Sequence, residues 1–166
     1  MKPLSGIVLA FLFAATLGAA PPQPVKGAEA MEKMKGLVGV WEGNDGDGNM
    51  ITLSYRLVSN GTTLMETLDN SQEKESMITM YHLDGGKLMM THYCSMGNQP
   101  RMRLMTMTPT SLTFSFFDGT NLASKDDPHM HRLAITWVDK DHINEEWTMR
   151  SGKDTHAALF KLERKS

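Results

Sequence analysis

The chain has one cysteine, Cys94, among its 166 residues, so no disulfide can form within it. In an oxidising compartment a lone thiol is either buried and inert or a reactive or ligating group. Burial is the commoner state of free cysteine. Basic charge is not in excess either: 17 Lys and Arg face 19 Asp and Glu, without a basic cluster. That balance excludes the electrostatic footprint of a nucleic-acid binder. After residue 20 no apolar run approaches the roughly 20 residues that a membrane-spanning helix needs. Neither Gly-x-Ser-x-Gly nor His-Glu-x-x-His occurs, so a nucleophile–base signature is missing and the chain reads more readily as a binder than as an enzyme. No internal repeat is evident, which argues against a propeller. The length suits one domain and is enough for a core without staples.

The first twenty residues read as a signal peptide. Lys2 precedes an apolar run from Gly6 to Leu17, small residues follow at Gly18, Ala19 and Ala20, and Pro21-Pro22 comes next. That charged, apolar, small-residue order predicts cleavage after Ala20 and export to the periplasm or beyond, with no membrane contact afterwards. Residues 21–27 read as a linker and residues 28–166 as the folded domain. Within it Ala28 to Leu37 suits a short amphipathic helix, because Met31, Met34 and Leu37 recur at three-residue intervals on one face.

From Trp41 onward the period changes to two. Met50 to Val58 alternates Ile51, Leu53, Tyr55 and Leu57 against Thr52, Ser54 and Arg56, and Ser59-Asn60-Gly61 marks a turn. Further strand-like runs cover residues 62–68, 75–83, 87–94, 101–108, 111–117, 129–138, 142–150 and 155–163, with Asp84-Gly85-Gly86 as a second clear hairpin signal. With a short strand at residues 40–43 the count is ten. Connections this short force sequential strands to pair antiparallel, and a ten-strand sheet escapes exposed edges by closing. The expected fold is all-β: an up-and-down antiparallel barrel of about ten strands behind a short helix, wide enough for one small ligand.

Gly39-Val40-Trp41 resembles the Gly-x-Trp of calycins, the superfamily of lipocalins and fatty-acid-binding proteins. The resemblance implies that a basic residue on the last strand packs over that Trp and closes the barrel floor. Arg164, in phase with Phe160 and Leu162, stands at the matching position. The ten-strand count with Gly39-Val-Trp-Glu-Gly43 and Gly46-Asp-Gly48 is also similar to nitrobindin-like haem barrels, and the layout resembles a group of uncharacterised exported bacterial lipocalin-like proteins. The nitrobindin resemblance implies a haem ligand from the C-terminal part of the barrel, where His156 is the nearest counterpart.

Polar chemistry concentrates in two places. His92 and Cys94 share a strand face, and Arg101 and Arg103 follow on the next strand; His129 and His131 share a face that continues as Leu133, Ile135 and Trp137. If that face points inward, His131 lies inside the barrel and His129 at its rim. One reading has a small, largely apolar ligand walled by Tyr55, Phe114, Phe116, Trp137 and Trp147, its polar end fixed by His92, Arg101, Arg103, His131 and Glu145. A second takes His92, Cys94, His129 and His131 as donors for Zn or Cu, or His156 for haem, with an enzyme among its outcomes. A third has a filled, purely structural interior. Glu66 and Glu145 sit among apolar residues of their strands, where a carboxylate needs a partner; Arg101, Arg103 and Arg132 are the candidates. The methionines, among them Met102, Met105 and Met107, read as packing first. The long connection from Asp118 to Pro128 reads as a solvated loop or a lid. Oligomeric state has no signature in the sequence.

Overall fold

The computed structural model describes residues 27–165; the expected signal peptide, and residues 21–26 of the linker, lie outside the described residues. Helix α1 (Gly27–Lys35) buries Gly27, Ala30, Met31 and Met34, and Leu37 just beyond it is fully buried. Lys33 and Lys35 occupy the last turn, where cations complement the helix dipole. The helix lies across one end of the barrel, against the two strands that flank the Gly85-Gly86 turn. A side chain at Gly27 would place its Cβ 2.2 Å from the carbonyl oxygen of Gly86, so only glycine permits this docking.

Ten strands follow: β1 (Gly39–Asn44), β2 (Met50–Val58), β3 (Thr63–Asn70), β4 (Met77–Asp84), β5 (Lys87–Tyr93), β6 (Gln99–Thr108), β7 (Ser111–Thr120), β8 (His129–Trp137), β9 (His142–Ser151) and β10 (Asp154–Lys165). They form a closed antiparallel barrel in which every strand pairs with its neighbours in sequence and β1 also pairs with β10. The fold is thus all-β with one short helix on its N-terminal side, and the expected strands match within a few residues. The turn at Gly85-Gly86 has φ of 53° and 82°, the left-handed backbone of a two-residue hairpin turn.

Alternation places one side chain in two inside. Trp41, Ile51, Leu53, Leu64, Tyr81, Met90, Met102, Leu112, Phe114, Leu133, Ile135 and Ile143 are all fully buried and belong to one continuous core. Burial of each large apolar side chain stabilises the fold by roughly 1.5–3 kcal/mol. At the helix end Arg164 lies over Trp41, its guanidinium 4.1 Å from the ring centroid. The same guanidinium donates to the carbonyls of Val38 (2.9 Å) and Gly36 (2.8 Å), while the indole of Trp41 donates to Leu37 O at 2.8 Å. Three segments are thereby tied across the barrel floor: the helix exit, β1 and β10.

The strands have unequal reach. β10 pairs with β9 from Asp154 to Glu163, but with β1 only from Lys161 to Lys165. The stretch Asp154 to Leu159 therefore has one strand neighbour, and every residue in it is exposed. Irregularities break the alternation at two pairings. β6 and β7 shift register between Arg101 and Met102 and again between Leu104 and Thr106; β8 and β9 shift between Met130 and Arg132.

Candidate functional site

Four inward residues on adjacent strands stand directly opposite one another: Tyr55 on β2, Glu66 on β3, Thr79 on β4 and His92 on β5. Directly opposed residues of an antiparallel pair bring their Cβ atoms within about 5.5 Å, so the four form one polar row around the inner wall. Tyr81, one inward position further along β4, joins it. From β9 come Glu145 and Trp147. All seven side chains are buried.

Hydrogen bonds link them across the lumen. Tyr81 donates its hydroxyl to Glu66 Oε2 at 2.6 Å, and Thr79 donates to Glu66 Oε1 at 3.4 Å. Tyr55 donates to Glu145 Oε1 in a short bond, and the indole of Trp147 donates to Glu145 Oε2 at 3.0 Å. Thr79 Oγ1 also meets His92 Nδ1 at 3.0 Å, and the imidazole packs on the Trp147 ring with centroids 4.8 Å apart. The belt closes on itself with one group left over: His92 Nε2 is buried and has no partner.

No Lys or Arg of the described residues pairs with either carboxyl. Removal from water raises Glu66 from 4.5 to about 7, against the opposing hydroxyls of Tyr81, Tyr55 and Thr79. Burial, and then the neighbouring charge of Glu66, hold Glu145 well above the carboxylate range despite its bonds from Tyr55 and Trp147. Burial pushes His92 down to about 4 and lifts Tyr55 and Tyr81 well above an ordinary phenol. At neutral pH the belt therefore holds a neutral imidazole, and burial makes both carboxyls keep a proton more readily than ordinary carboxyls do.

The expected arginine partners are elsewhere. Arg101 and Arg103 are exposed, because on β6 the inward positions belong to Met102 and Leu104. Arg101 is bidentate to Asp118, and both arginines lie over the Phe117 ring. Arg132 pairs with Glu146 on the outer face. The two histidines of β8 exchange their expected places. His129 is fully buried and packs on Phe116 at 4.1 Å, while His131 is half-buried, its Nδ1 3.1 Å from His129 Nε2. The register shift between Met130 and Arg132 takes His131 out of the inward series: Met130 stands opposite Met149 of β9 and packs against the core. Trp137 is half-buried at the helix end beneath Lys33, away from the belt. Phe114 is buried and Phe116 half-buried.

The four donors expected to hold a metal do not converge. His92 belongs to the belt, His129 and His131 lie together against Phe116, and Cys94 lies buried in the turn after β5, its thiol pushed up by burial. Among the described residues no group of three or more His, Cys, Asp or Glu side chains is placed to hold a metal ion. His156 is exposed on β10, and it does not fit an axial haem ligand held inside a barrel. The connection after β7 is stapled down: Asn98 donates to Pro128 O at 2.8 Å, Asp127 accepts from the Ala123 amide at 2.7 Å, and the Gly152 amide donates to Asp126 O at 2.8 Å.

Open clefts on the outside include a groove of about 760 Å³ beside α1 lined by Met31, Glu32, His82 and Leu83 among others, and one of about 240 Å³ between β7 and Leu122. Neither is lined by a belt residue. Trp147, at 3% the most exposed of the seven, stands directly opposite the exposed Ala158 of β10.

Comparison with solved structures returns the same barrel. A protein of unknown function of the DUF3598 family from Nostoc punctiforme superposes with a TM-score of 0.57 at 15% identity, over 80% of this chain and 49% of that one. The chain thus spans about half the length of that neighbour. The likeness establishes the fold. No family model and no curated protein matches the sequence.

Proposed function

We propose that this chain is an exported, calycin-like β-barrel that binds a small, largely apolar molecule in its interior and anchors the polar end of that molecule on the belt. The observation that carries the reading is the unmet nitrogen of His92, buried among six other polar or amphipathic side chains that face the same lumen. A buried polar atom without a partner costs roughly 1–3 kcal/mol, which a ligand group removes. Apolar walls of Leu53, Met90, Met102 and Phe114 around a few convergent polar groups have the composition of a small-molecule site. Export to the periplasm or medium rests on the order of residues 1–20.

Native mass spectrometry of untagged protein purified from its exported fraction tests both halves. The expected result is a polypeptide starting at Pro21, carrying an organic mass that is released on denaturation. An adduct-free protein whose tryptophan emission ignores every added apolar molecule would refute ligand carriage, and a retained residue 1–20 segment would refute cleavage.

A further inference from the structure

The belt is short of donors, and that bears on what it binds. Tyr81, Thr79, Tyr55 and Trp147 each direct their one polar hydrogen to a carboxyl oxygen. With Thr79 donating to Glu66, the imidazole gives its Nδ1 hydrogen to Thr79 Oγ1, and Nε2 is left as a bare acceptor. Once the carboxyl pair has lost a proton, what remains unspent is acceptor capacity: lone pairs on Glu66 and Glu145, and His92 Nε2. Aromatic rings of Trp147, Tyr55 and Tyr81 stand beside it. Hydrogen bonds from four donors favour the ionised form of a carboxyl, yet no Lys or Arg of the described residues supplies the counter-charge.

We propose that the belt takes a primary ammonium group borne on a small apolar body, its N–H bonds ending on Glu66, Glu145 and His92 Nε2. An ammonium brings three donors and the missing positive charge, and the Trp147 face adds a cation–π contact. A carboxylate ligand brings no hydrogen for these acceptors and adds negative charge beside the carboxyl pair. A neutral hydroxyl could satisfy His92 but brings no positive charge to draw a proton off the carboxyl pair. This inference rests on the binding reading above and narrows it to a ligand class. On binding, the protonated pair gives up a proton to solvent as the ammonium enters, so the site keeps its net charge. The titratable groups facing it are Glu66 from β3, Glu145 from β9, Tyr55 from β2, Tyr81 from β4 and His92 from β5. Inward residues of the other strands near this level, such as Met102, Phe114, Leu133 and Phe160, carry no charge.

The test is calorimetric titration of ligand-free mature protein with 2-phenylethylamine, 2-phenylethanol and 3-phenylpropanoate, at pH 6 and pH 8, in two buffers of different ionisation enthalpy. The amine should bind at least about tenfold more tightly than the alcohol, with proton release measured from the buffer dependence. Because Glu66 titrates near 7, amine affinity should rise by about tenfold from pH 6 to pH 8. Glu145→Gln and Glu66→Gln, each checked for a wild-type circular dichroism spectrum, should weaken the amine; Arg101→Ala should not. Alcohol or propanoate binding as tightly as the amine overturns the ammonium assignment and leaves the binding reading standing. So does amine binding that releases no proton and ignores pH. Silence from all three compounds overturns both.

Discussion

Replacing Glu66 by Gln should make the ligand-free protein more stable at high pH than at low pH, relative to wild type. In the folded state Glu66 holds its proton up to about 7, against 4.5 for the ordinary group. A raised folded-state value means that its contribution to stability is fully present below about pH 4.5 and is lost as the pH rises through about 7. The gap corresponds to about 3 kcal/mol at about 1.4 kcal/mol per unit. His92 runs the other way: lowered from 6.5 to about 4, it contributes fully above about pH 6.5 and loses that contribution as the pH falls through about 4. Both proteins retain His92, so its effect cancels in the difference between them. Glu145 does not cancel fully, since part of its upward shift comes from the Glu66 charge, and the variant lets it ionise more easily, which adds to the same trend. Urea midpoints at pH 4.5 and pH 8 give the quantity directly. The difference should move toward Glu66→Gln by about 3 kcal/mol, or on the order of 10 °C in Tm. A difference that stays flat across this range would show that Glu66 is already ionised in the folded barrel, and the account of the belt would fail.

Arg164→Met removes the cation over Trp41 and two hydrogen bonds to the helix exit, and should cost roughly 2–4 kcal/mol in a denaturant melt; a loss under about 0.5 kcal/mol would mean that the floor is held by apolar packing. Gly43→Ala would set a Cβ 1.8 Å from Lys161 O, so the seam between β1 and β10 should part at a cost of at least about 3 kcal/mol, read as lost soluble yield or a lowered Tm. Cys94, buried with a raised thiol value, should react with a disulfide reagent on the order of a hundredfold more slowly in native protein than in urea. Equal rates would place the thiol at the surface.

The barrel was legible because its signal repeats: period-two alternation runs through ten strands, glycine marks five of the nine connections between them, and a misread residue at one strand end does not alter the count. Which side chains meet inside was much less legible. One extra residue reverses the facing of everything on one side of it, and the register shift between Met130 and Arg132 took His131 out of the inward phase of β8. Arg101 and Arg103 failed for a simpler reason, since Met102 and Leu104 between and beside them hold the inward phase of β6. Glu66 and Glu145 stood out as carboxyls on apolar faces, but their tyrosine partners did not. Tyr55 and Tyr81 lie on other strands, and a row such as Tyr55–Glu66–Thr79–His92 exists only once three cross-strand registers are known. The signal that could have found it is the phase: each of these residues alternates in step with the buried leucines and methionines of its own strand.

The seam between β1 and β10 joins residues 39–44 to residues 161–165, whereas every other pairing in the barrel joins strands adjacent in sequence. The nine adjacent pairings can assemble as local hairpins, each at a small loop-closure cost. The seam must bring together chain segments separated by nearly the whole domain, and contacts of that span govern how slowly a β-protein folds. Closure therefore comes last, and until β10 has been made and delivered the growing sheet carries two open edges, each a template for a wrong partner. The floor residues Trp41 and Arg164 sit at that seam, so the clasp that finishes the barrel also ends the period in which it is most prone to aggregate.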